Sequence, residues 1–415
     1  MAIIKPFKGL RPPAAIAAKV AARPYDVLSS AEAKQEAAGN PVSFYHVSKS
    51  EIDLPENTDV HSQQVYEQAA ANLHKFVSEG TLFQDDQPCY YIYKLVMNGR
   101  AQTGLVCASS VADYNNGIIK KHEFTRPDKE LDRINHIKTT LAQTGNVFLA
   151  YNDVPAINAI IDQWQAQHPP IYDFTAEDGI THTVWSVDAP AAVNSITTLF
   201  ADKVPATYIA DGHHRAASAS LVQKEFQQNG KVTDIDQPVN YFLTTIFPAS
   251  QLAIMDYNRV VKDLNGLSKE AFLSQLDYSF NVEEVGHLPQ APSMLHEFTM
   301  YLDGRWYRLV AEEGTFTTDP IGVLDVTILS NNILDKILGI KDQRTDKRID
   351  FVGGIRGLQE LVKRVDSGEM KVAFALYPVT IQQLFDIADS GNVMPPKSTW
   401  FEPKLRDGLI THLIK

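Results

Sequence analysis

Residues 211–215, with the sequence Asp-Gly-His-His-Arg, hold the densest set of side chains able to do chemistry in this chain. An apolar run at 207–210 precedes them as a predicted buried strand, and a helical pattern begins at His213. A helix N-terminus disfavours cations by roughly 0.3–1 kcal/mol each, yet both histidines and Arg215 fall in the first turn. Because free N–H groups at such an end bind phosphate, the segment predicts an anion site. If this prediction holds, Arg215 should be exposed and should contribute little to stability. The alternative is that Asp211 is an ordinary helix cap and that the arginine and two exposed histidines stand there by chance.

A second candidate group lies at residues 121–128. Glu123 can act as a general base, a role that typically contributes roughly 10²–10⁴-fold to a rate. Capping-box spacing within the segment predicts a helix that continues to about residue 144. Arg133 and His136 share one face of that helix, where they could orient Glu123 or bind the carboxylate of a substrate. The alternative is that Glu123 is an ordinary surface carboxylate near the positive end of the helix.

Two glycine-containing segments near the C-terminal end are weaker candidates for phosphate binding. Residues 391–398 nearly match the phosphate loop G-x-x-x-x-G-K-S/T, but Pro396 replaces the second glycine and lacks the N–H that the loop needs. Lys397 can still reach a ligand as a point charge, or it is simply exposed to solvent. Residues 353–357, Gly-Gly-Ile-Arg-Gly, form either a tight turn or a close approach to an anion.

The bulk composition limits the classes of protein to consider. With 415 residues, the chain is long enough for two or three packed units. The net charge of −12 argues against a nucleic-acid surface, because such a surface needs a basic face. Cys89 and Cys107 are the only cysteines, so we expect neither a disulfide framework nor a cysteine-based metal site. Without a secretion signal or an apolar run long enough to cross a bilayer, the sequence predicts a cytoplasmic protein with no membrane partner.

The mixture of strand and helix patterns predicts an α+β (mixed α/β) fold rather than a purely parallel sheet. Hairpins are expected around Asn98-Gly99 and Asp303-Gly304, because these dipeptides favour tight turns between strands. Residues 43–47 are predicted to form a strand, and residues 325–338 a helix.

Several short motifs together resemble one known family. They occur at residues 5–13, 24–29, 40–44, 122–123, 211–215, 258–259 and 395–399. This combination resembles the bacterial and archaeal family catalogued as domain of unknown function 1015, and the resemblance spans essentially the whole chain. The family name implies no activity by itself.

Two of these motifs, the His-Glu pair at 122–123 and the segment at 211–215, are similar to those of free-serine kinases of the ParB/sulfiredoxin-like superfamily. In that superfamily a Gly-x-x-Arg turn holds nucleotide phosphates, and in the serine kinases a glutamate acts as base on the serine hydroxyl. The resemblance implies a ParB/sulfiredoxin-like core at 119–270, with additional α/β regions at 1–118 and 271–415. It also implies ATP or ADP as a cofactor, together with Mg²⁺.

Carried over by motif, the resemblance gives roles to individual residues. Glu123 becomes the candidate base, and Asp211 and His214 complete the catalytic set, with Asp211 also the candidate Mg²⁺ ligand. The residues assigned to nucleotide binding are Gly212, His213, Arg215, Arg133, His136 and Lys397. Phosphoryl transfer needs positioning, cationic groups around the phosphates and a base near the acceptor hydroxyl, and these residue types supply all three.

The sequence therefore predicts a nucleotide-dependent kinase of a small hydroxy amino acid, with free L-serine as the leading acceptor. The alternative is a nucleotide-binding regulatory module, in which binding switches a partner without catalysis. A ParB-like DNA-binding role ranks third, because the acidic balance opposes it. A small-molecule substrate is expected, a nucleic-acid partner is not, and a homo-oligomer stays open. Neither histidine spacing nor cysteine ligands support a zinc-type site.

Overall fold

The computed structural model describes residues 1–415, which form two compact units. The first unit comprises residues 1–252 and 403–415, and the second comprises residues 253–402. This division differs from the three regions expected from the sequence, because one sheet of the first unit joins strands from both sides of residue 118. None of the helices has the length and apolar character that crossing a bilayer would require.

The first unit is built on a nine-stranded mixed sheet with smaller two-stranded sheets beside it. Its strands are β1 (Ile4–Lys5), β2 (Leu10–Arg11), β3 (Phe83–Gln84), β4 (Tyr90–Met97), β5 (Arg100–Ser110), β6 (Ile119–Lys120), β7 (Ala142–Gln143), β8 (Val147–Tyr151), β9 (Tyr172–Thr175), β10 (Thr181–Val187), β11 (Thr207–Asp211), β12 (Tyr241–Pro248) and, numbered by its place in the chain, β21 (His412–Leu413). The strand order in the large sheet is β6-β11-β8-β12-β5-β4-β10-β9, with β1 on β5.

The helices of the first unit are α1 (Ala17–Val20), α2 (Ser30–Glu36), α3 (Tyr45–Ser48), α4 (Gln63–Ser78), α5 (Val111–Asn115), α6 (Pro127–Thr140), α7 (Pro155–Gln167), α8 (Pro190–Lys203) and α9 (His213–Gln228). Residues of α7, α8 and α9 share one hydrophobic core with the central strands. Strand β8 pairs in parallel with β12 and antiparallel with β11, so the sheet is mixed. The predicted mixed α/β fold is therefore confirmed.

The central hairpin forms where the sequence predicts it. Strands β4 and β5 pair up to Met97 and Arg100, and Asn98 and Gly99 between them have φ angles of 52° and 77°. Both turn residues need a positive φ in the tight turn that suits the twist of two strands.

The last residues of the chain return to the first unit. Strand β21 pairs with β7, and the backbone of Asp407 exchanges two hydrogen bonds with Ala22. Residues 403–415 therefore do not belong with the preceding C-terminal part of the chain, as the region 271–415 expected from the sequence would require.

The second unit contains a six-stranded antiparallel sheet and a separate two-stranded sheet. Its strands are β13 (Ile254–Met255), β14 (Tyr257–Val261), β15 (Phe280–Gly286), β16 (Glu297–Leu302), β17 (Arg305–Ala311), β18 (Ile349–Gly353), β19 (Val372–Leu376) and β20 (Trp400–Phe401), and its helices are α10 (Lys269–Leu276), α11 (Asp325–Leu329), α12 (Leu358–Asp366) and α13 (Ile381–Asp389). The strand order in the six-stranded sheet is β15-β17-β16-β19-β14-β18, and β13 pairs with β20 in the smaller sheet. The β16–β17 hairpin turns at Asp303-Gly304 as predicted. A π-helix at Ser330–Asp335 continues α11.

Candidate functional site

The strand–turn–helix predicted around residue 211 is confirmed. Strand β11 ends at Asp211, Gly212 has a φ of 95°, and α9 begins at His213. A Cβ atom at Gly212 would lie 3.1 Å from the guanidinium of Arg215, so the position needs glycine both for its φ angle and for this close approach. The first intrahelical bond runs from the Ala216 N–H to the Gly212 carbonyl, and no side chain caps the helix. The three N–H groups before Ala216 are therefore the ones that an anion could use.

Arg215 is buried, which corrects the expectation of an exposed phosphate ligand. Its side chain is only 7% exposed. One terminal nitrogen donates to Asp211 Oδ2 at 2.8 Å and to Asp26 Oδ2 at 3.4 Å, and the other donates to the carbonyl oxygen of Asn146. Burial opposes the charge, but Asp26 and Asp211 outweigh it and raise the pKa of Arg215. The guanidinium is thus neutralised inside the protein, and Nε alone lacks a partner.

Asp211 is shared between two cations. Its Oδ2 accepts from Arg215, and its Oδ1 lies 3.7 Å from Nζ of Lys404. Against the effect of burial, Lys404 and Arg215 hold the pKa of Asp211 below its usual range. A Mg²⁺ ion at Asp211 would compete with both cations, and nowhere in the chain do three His, Cys, Asp or Glu side chains come together to hold a metal ion.

His213 and Glu123 form a pair whose proton position can be deduced. Nε2 of His213 faces the backbone N–H of His122 at 3.5 Å and must act as the acceptor. The neutral ring then carries its proton on Nδ1, which faces Glu123 Oε2 at 3.6 Å. Burial, together with the nearby His122 ring at 4.5 Å, keeps the pKa of His213 well below its usual value. A buried neutral imidazole therefore points an N–H toward a carboxylate that is 57% exposed, at a separation slightly longer than a hydrogen bond.

His214 repeats this arrangement one residue later. Its Nε2 accepts the backbone N–H of Arg126 at 3.0 Å, and burial lowers the pKa of the ring. Residues 122–126, which we call the strap, are thus held at both ends by the two histidines at the start of α9. Glu123 lies on this strap beside Phe124, whose side chain is 79% exposed.

Arg133 and His136 do not contact Glu123. Nε of Arg133 donates to Asp132 at 2.9 Å, and its guanidinium lies 3.9 Å from the centre of the Tyr25 ring. Nε2 of His136 donates to the carbonyl oxygen of Val47 at 3.0 Å. Both side chains, with Arg215, line a cavity whose water-accessible space is about 20 Å³, which is room for about one water molecule. The expected role of orienting Glu123 is therefore not seen, because local contacts already use both groups.

The family of the chain follows from a comparison with family models. The model described as Protein of unknown function (DUF1015) matches residues 4–327. The chain belongs to the DUF1015 family. The resemblance inferred from the motifs is confirmed, although the motif at 395–399 lies beyond the matched residues. No curated protein matches the sequence.

Several solved structures are similar to this DUF1015 protein at low identity. A free serine kinase in complex with AMP shares 13% identity, with 72% of this chain and 86% of that chain covered and a TM-score of 0.35. A conserved hypothetical protein from Pyrococcus furiosus shares 15%, with 75% and 95% covered and a TM-score of 0.35. A C-terminally truncated SbnI from Staphylococcus aureus shares 11%, with 74% and 86% covered and a TM-score of 0.30.

Two residues near the C-terminal end of this DUF1015 protein join the site without having been predicted. Lys404 pairs with Asp211, and Asp407 is fully buried near Arg215 with its Oδ2 unpartnered. The only signal in the sequence is a charged Lys-Leu-Arg-Asp-Gly run at 404–408, between an aromatic segment and a strand. Lys397, which was predicted to bind the cofactor, lies in the second unit, where its ammonium stands 5.5 Å from the centre of the Tyr257 ring.

Proposed function

We propose that this protein is a nucleotide-dependent phosphotransferase that acts on the hydroxyl group of a small amino acid, with free L-serine as the leading acceptor. The observation that carries the proposal is the pair formed by exposed Glu123 and buried, neutral His213 at the uncapped start of α9. The pair provides a carboxylate base on an exposed side chain, and it lies beside N–H groups that can hold phosphate.

The acceptor side of the reaction depends on Glu123. Its carboxylate removes the proton of the acceptor hydroxyl as that oxygen attacks the terminal phosphorus of the nucleotide. The bond from this phosphorus to the bridging oxygen breaks, and the shortened nucleotide leaves with the electron pair. His213 directs its Nδ1–H toward the carboxylate at 3.6 Å and so acts as a positioning residue, without taking part in proton transfer itself.

The donor side depends on α9. The first-turn N–H groups fit the oxygens of a phosphate, and the positive end of the helix favours their charge. Arg215 does not contact the phosphates in this proposal, because it is committed to Asp211 and Asp26. It instead fixes the turn that begins the helix. The choice of ATP or ADP and of L-serine comes from the resemblance of residues 122–123 and 211–215 to the serine-kinase motifs, and Mg²⁺ would be supplied with the nucleotide.

The proposal is tested by incubating the purified protein with Mg²⁺, ATP or ADP, and L-serine, and by measuring phosphoserine by mass spectrometry. Glu123→Gln should bind nucleotide normally and lose about 10²–10⁴-fold in kcat, because a base is needed only as the hydroxyl attacks. The control is Glu79→Gln, which changes an exposed glutamate at the end of α4. Nucleotide binding without transfer to any hydroxy amino acid would favour the regulatory module instead.

The positioning role of His213 has its own test. Asparagine can place an amide N–H near the position of Nδ1, whereas glutamine places its amide near Nε2. His213→Asn should therefore keep more of kcat than His213→Gln, while KM for the nucleotide changes little in either. Equal loss in both variants, together with an equal loss of thermal stability, would mean that His213 serves the fold alone.

A further inference from the structure

A second group of cations lies in the second unit, around strand β14. The side chain of Arg259 is 0% exposed. One terminal nitrogen donates to the carbonyl oxygen of Tyr257 and the other to that of Pro396 at 3.3 Å, while Nε–H is buried without a partner. The guanidinium also lies 5.2 Å from the centre of the Phe351 ring, so its partners within the chain are two carbonyl oxygens and an aromatic face, none of which carries a formal negative charge.

The lack of a counter-charge sets Arg259 apart from the other buried arginines. Arg133 pairs with Asp132, Arg215 with Asp211 and Asp26, and Arg406 with Asp178. Arg259 has no carboxylate partner, and burial lowers its pKa to about 9, so it still carries its charge at neutral pH. A buried charge destabilises a fold unless an opposite charge and hydrogen bonds compensate it.

Lys397 is a second cation, next in the chain to the Pro396 carbonyl that Arg259 bonds. It follows Pro396, is exposed, and holds its ammonium over the ring of Tyr257, whose carbonyl oxygen accepts from Arg259. No carboxylate pairs with Lys397. The nearby Asp256 is engaged by the side-chain amide of Asn258. The turn at 395–399 thus joins two cations without bringing an anion to either.

We infer that Arg259 and Lys397 form a binding site for a phosphate group, either free or carried on a small molecule. The planar guanidinium offers paired donors that match phosphate oxygens, and the ammonium adds a point charge. Entry of the phosphate requires the turn at 395–399 to move away from Arg259. Lys397, in this turn, has a φ of 59°, a left-handed conformation that is uncommon for a residue other than glycine.

The first test localises the binding of inorganic phosphate by hydrogen exchange and mass spectrometry, with chloride at equal ionic strength as the reference. Phosphate should protect residues 395–399 and β14 in the wild type. Lys397→Gln should weaken this protection about tenfold, the size expected for loss of one hydrogen bond to a charged group. The matched control is Lys347→Gln, which removes an exposed lysine of the same unit. Comparing inorganic phosphate with phosphoserine shows whether the free ion or a phosphate ester binds better.

The position of the protected residues also distinguishes this site from the proposed transfer site. Phosphate bound at the start of α9 would protect residues 212–216 from exchange instead. The inference does not rest on the transfer reaction. Absence of protection at 395–399 in the wild type, or protection that Lys397→Gln leaves unchanged, would overturn it.

The second test replaces the buried charge. Methionine is similar in length to arginine and carries no charge. The melting temperature of Arg259→Met without phosphate should therefore be equal to or above that of the wild type. Phosphate should raise the melting temperature of the wild type but not that of Arg259→Met. An Arg259→Met variant that loses stability equally with and without phosphate would show that Arg259 is structural only. Should this variant fail to fold, the exchange experiment with Lys397→Gln decides the question.

Discussion

Replacing Asp407 with asparagine should change how the stability of this protein depends on pH. Asp407 is 2% exposed, and its Oδ2 has no hydrogen-bond partner. Burial raises the pKa of its carboxyl group to about 7, an effect that Asp26 reinforces and Arg215 opposes. Asparagine has nearly the same shape and carries no charge, so the Asp407→Asn variant isolates the effect of ionisation.

The sign and size of the effect follow from the two pKa values of Asp407. The unfolded chain releases this proton near pH 3.8, whereas the folded protein keeps it to about pH 7. Between these pH values the folded state binds more protons at Asp407 than the unfolded state does. The contribution of Asp407 to stability is therefore fully present at low pH and is lost as the pH rises through about 7. Each pH unit in this interval costs about 1.4 kcal/mol, and the loss between pH 5 and pH 8 is about 2–3 kcal/mol.

Urea unfolding of the wild type and Asp407→Asn at pH 5 and pH 8 measures this contribution. Buried histidines such as His122 and His136 act in the opposite direction, but they are common to both proteins and cancel in the difference. The free energy of unfolding of the variant, relative to the wild type, should increase by about 2–3 kcal/mol between the two pH values. Asp202→Asn, at an exposed position on α8, is the control and should show no such change. Parallel pH profiles for the wild type and Asp407→Asn would refute a buried carboxyl with a raised pKa.

Three further predictions concern the structure that holds the site. Arg215→Ala should lower the free energy of unfolding by about 1.5–3 kcal/mol because it removes the buried guanidinium that bonds half-buried Asp211 and the Asn146 carbonyl, whereas exposed Arg126→Ala should change it by less than about 1 kcal/mol; similar urea midpoints for the two variants would contradict the burial of Arg215. Gly212→Ala should destabilise more than Gly230→Ala, since both glycines have a positive φ but only Gly212 has a side chain close to the added methyl group; equal melting temperatures would exclude that contact. Burial lowers the pKa of His136 to about 4, so stability should fall as the pH drops from about 6.5 towards 4, and His136→Gln should flatten that part of the urea-derived profile; an unchanged slope would mean that His136 does not resist protonation.

Local signals in the sequence predicted local structure well. The turn at Gly212, the start of α9 and both hairpins depend on residues that are neighbours in the chain, and their backbone preferences decide them. The predicted strand at 43–47 is wrong, because Phe44 and Val47 are buried one helical turn apart around α3. Helix α6 ends at Thr140 rather than near residue 144, since Leu141 adopts a left-handed conformation and the chain continues into β7.

The roles of the charged residues could not be predicted in the same way. Arg215 meets Asp26 across a sequence separation of 189 residues, and its neighbours Lys404 and Asp407 come from the returning C-terminal segment. No periodicity or spacing links these positions. Their meeting depends on the packing of the whole first unit.

Cations at a helix start do imply an anion, but the anion can belong to the protein itself. Here carboxylates of the chain neutralise Arg215, so the positive charge that suggested phosphate binding stabilises the turn instead. The structural and the proposed chemical roles belong to side chains that differ in their exposure to solvent. The buried side, with Arg215 at 7% exposure, holds the start of α9 in place, whereas the exposed side presents Glu123 on the strap held by His213 and His214. We therefore propose that the chemistry takes place on the exposed side, through the carboxylate of Glu123 rather than the guanidinium of Arg215.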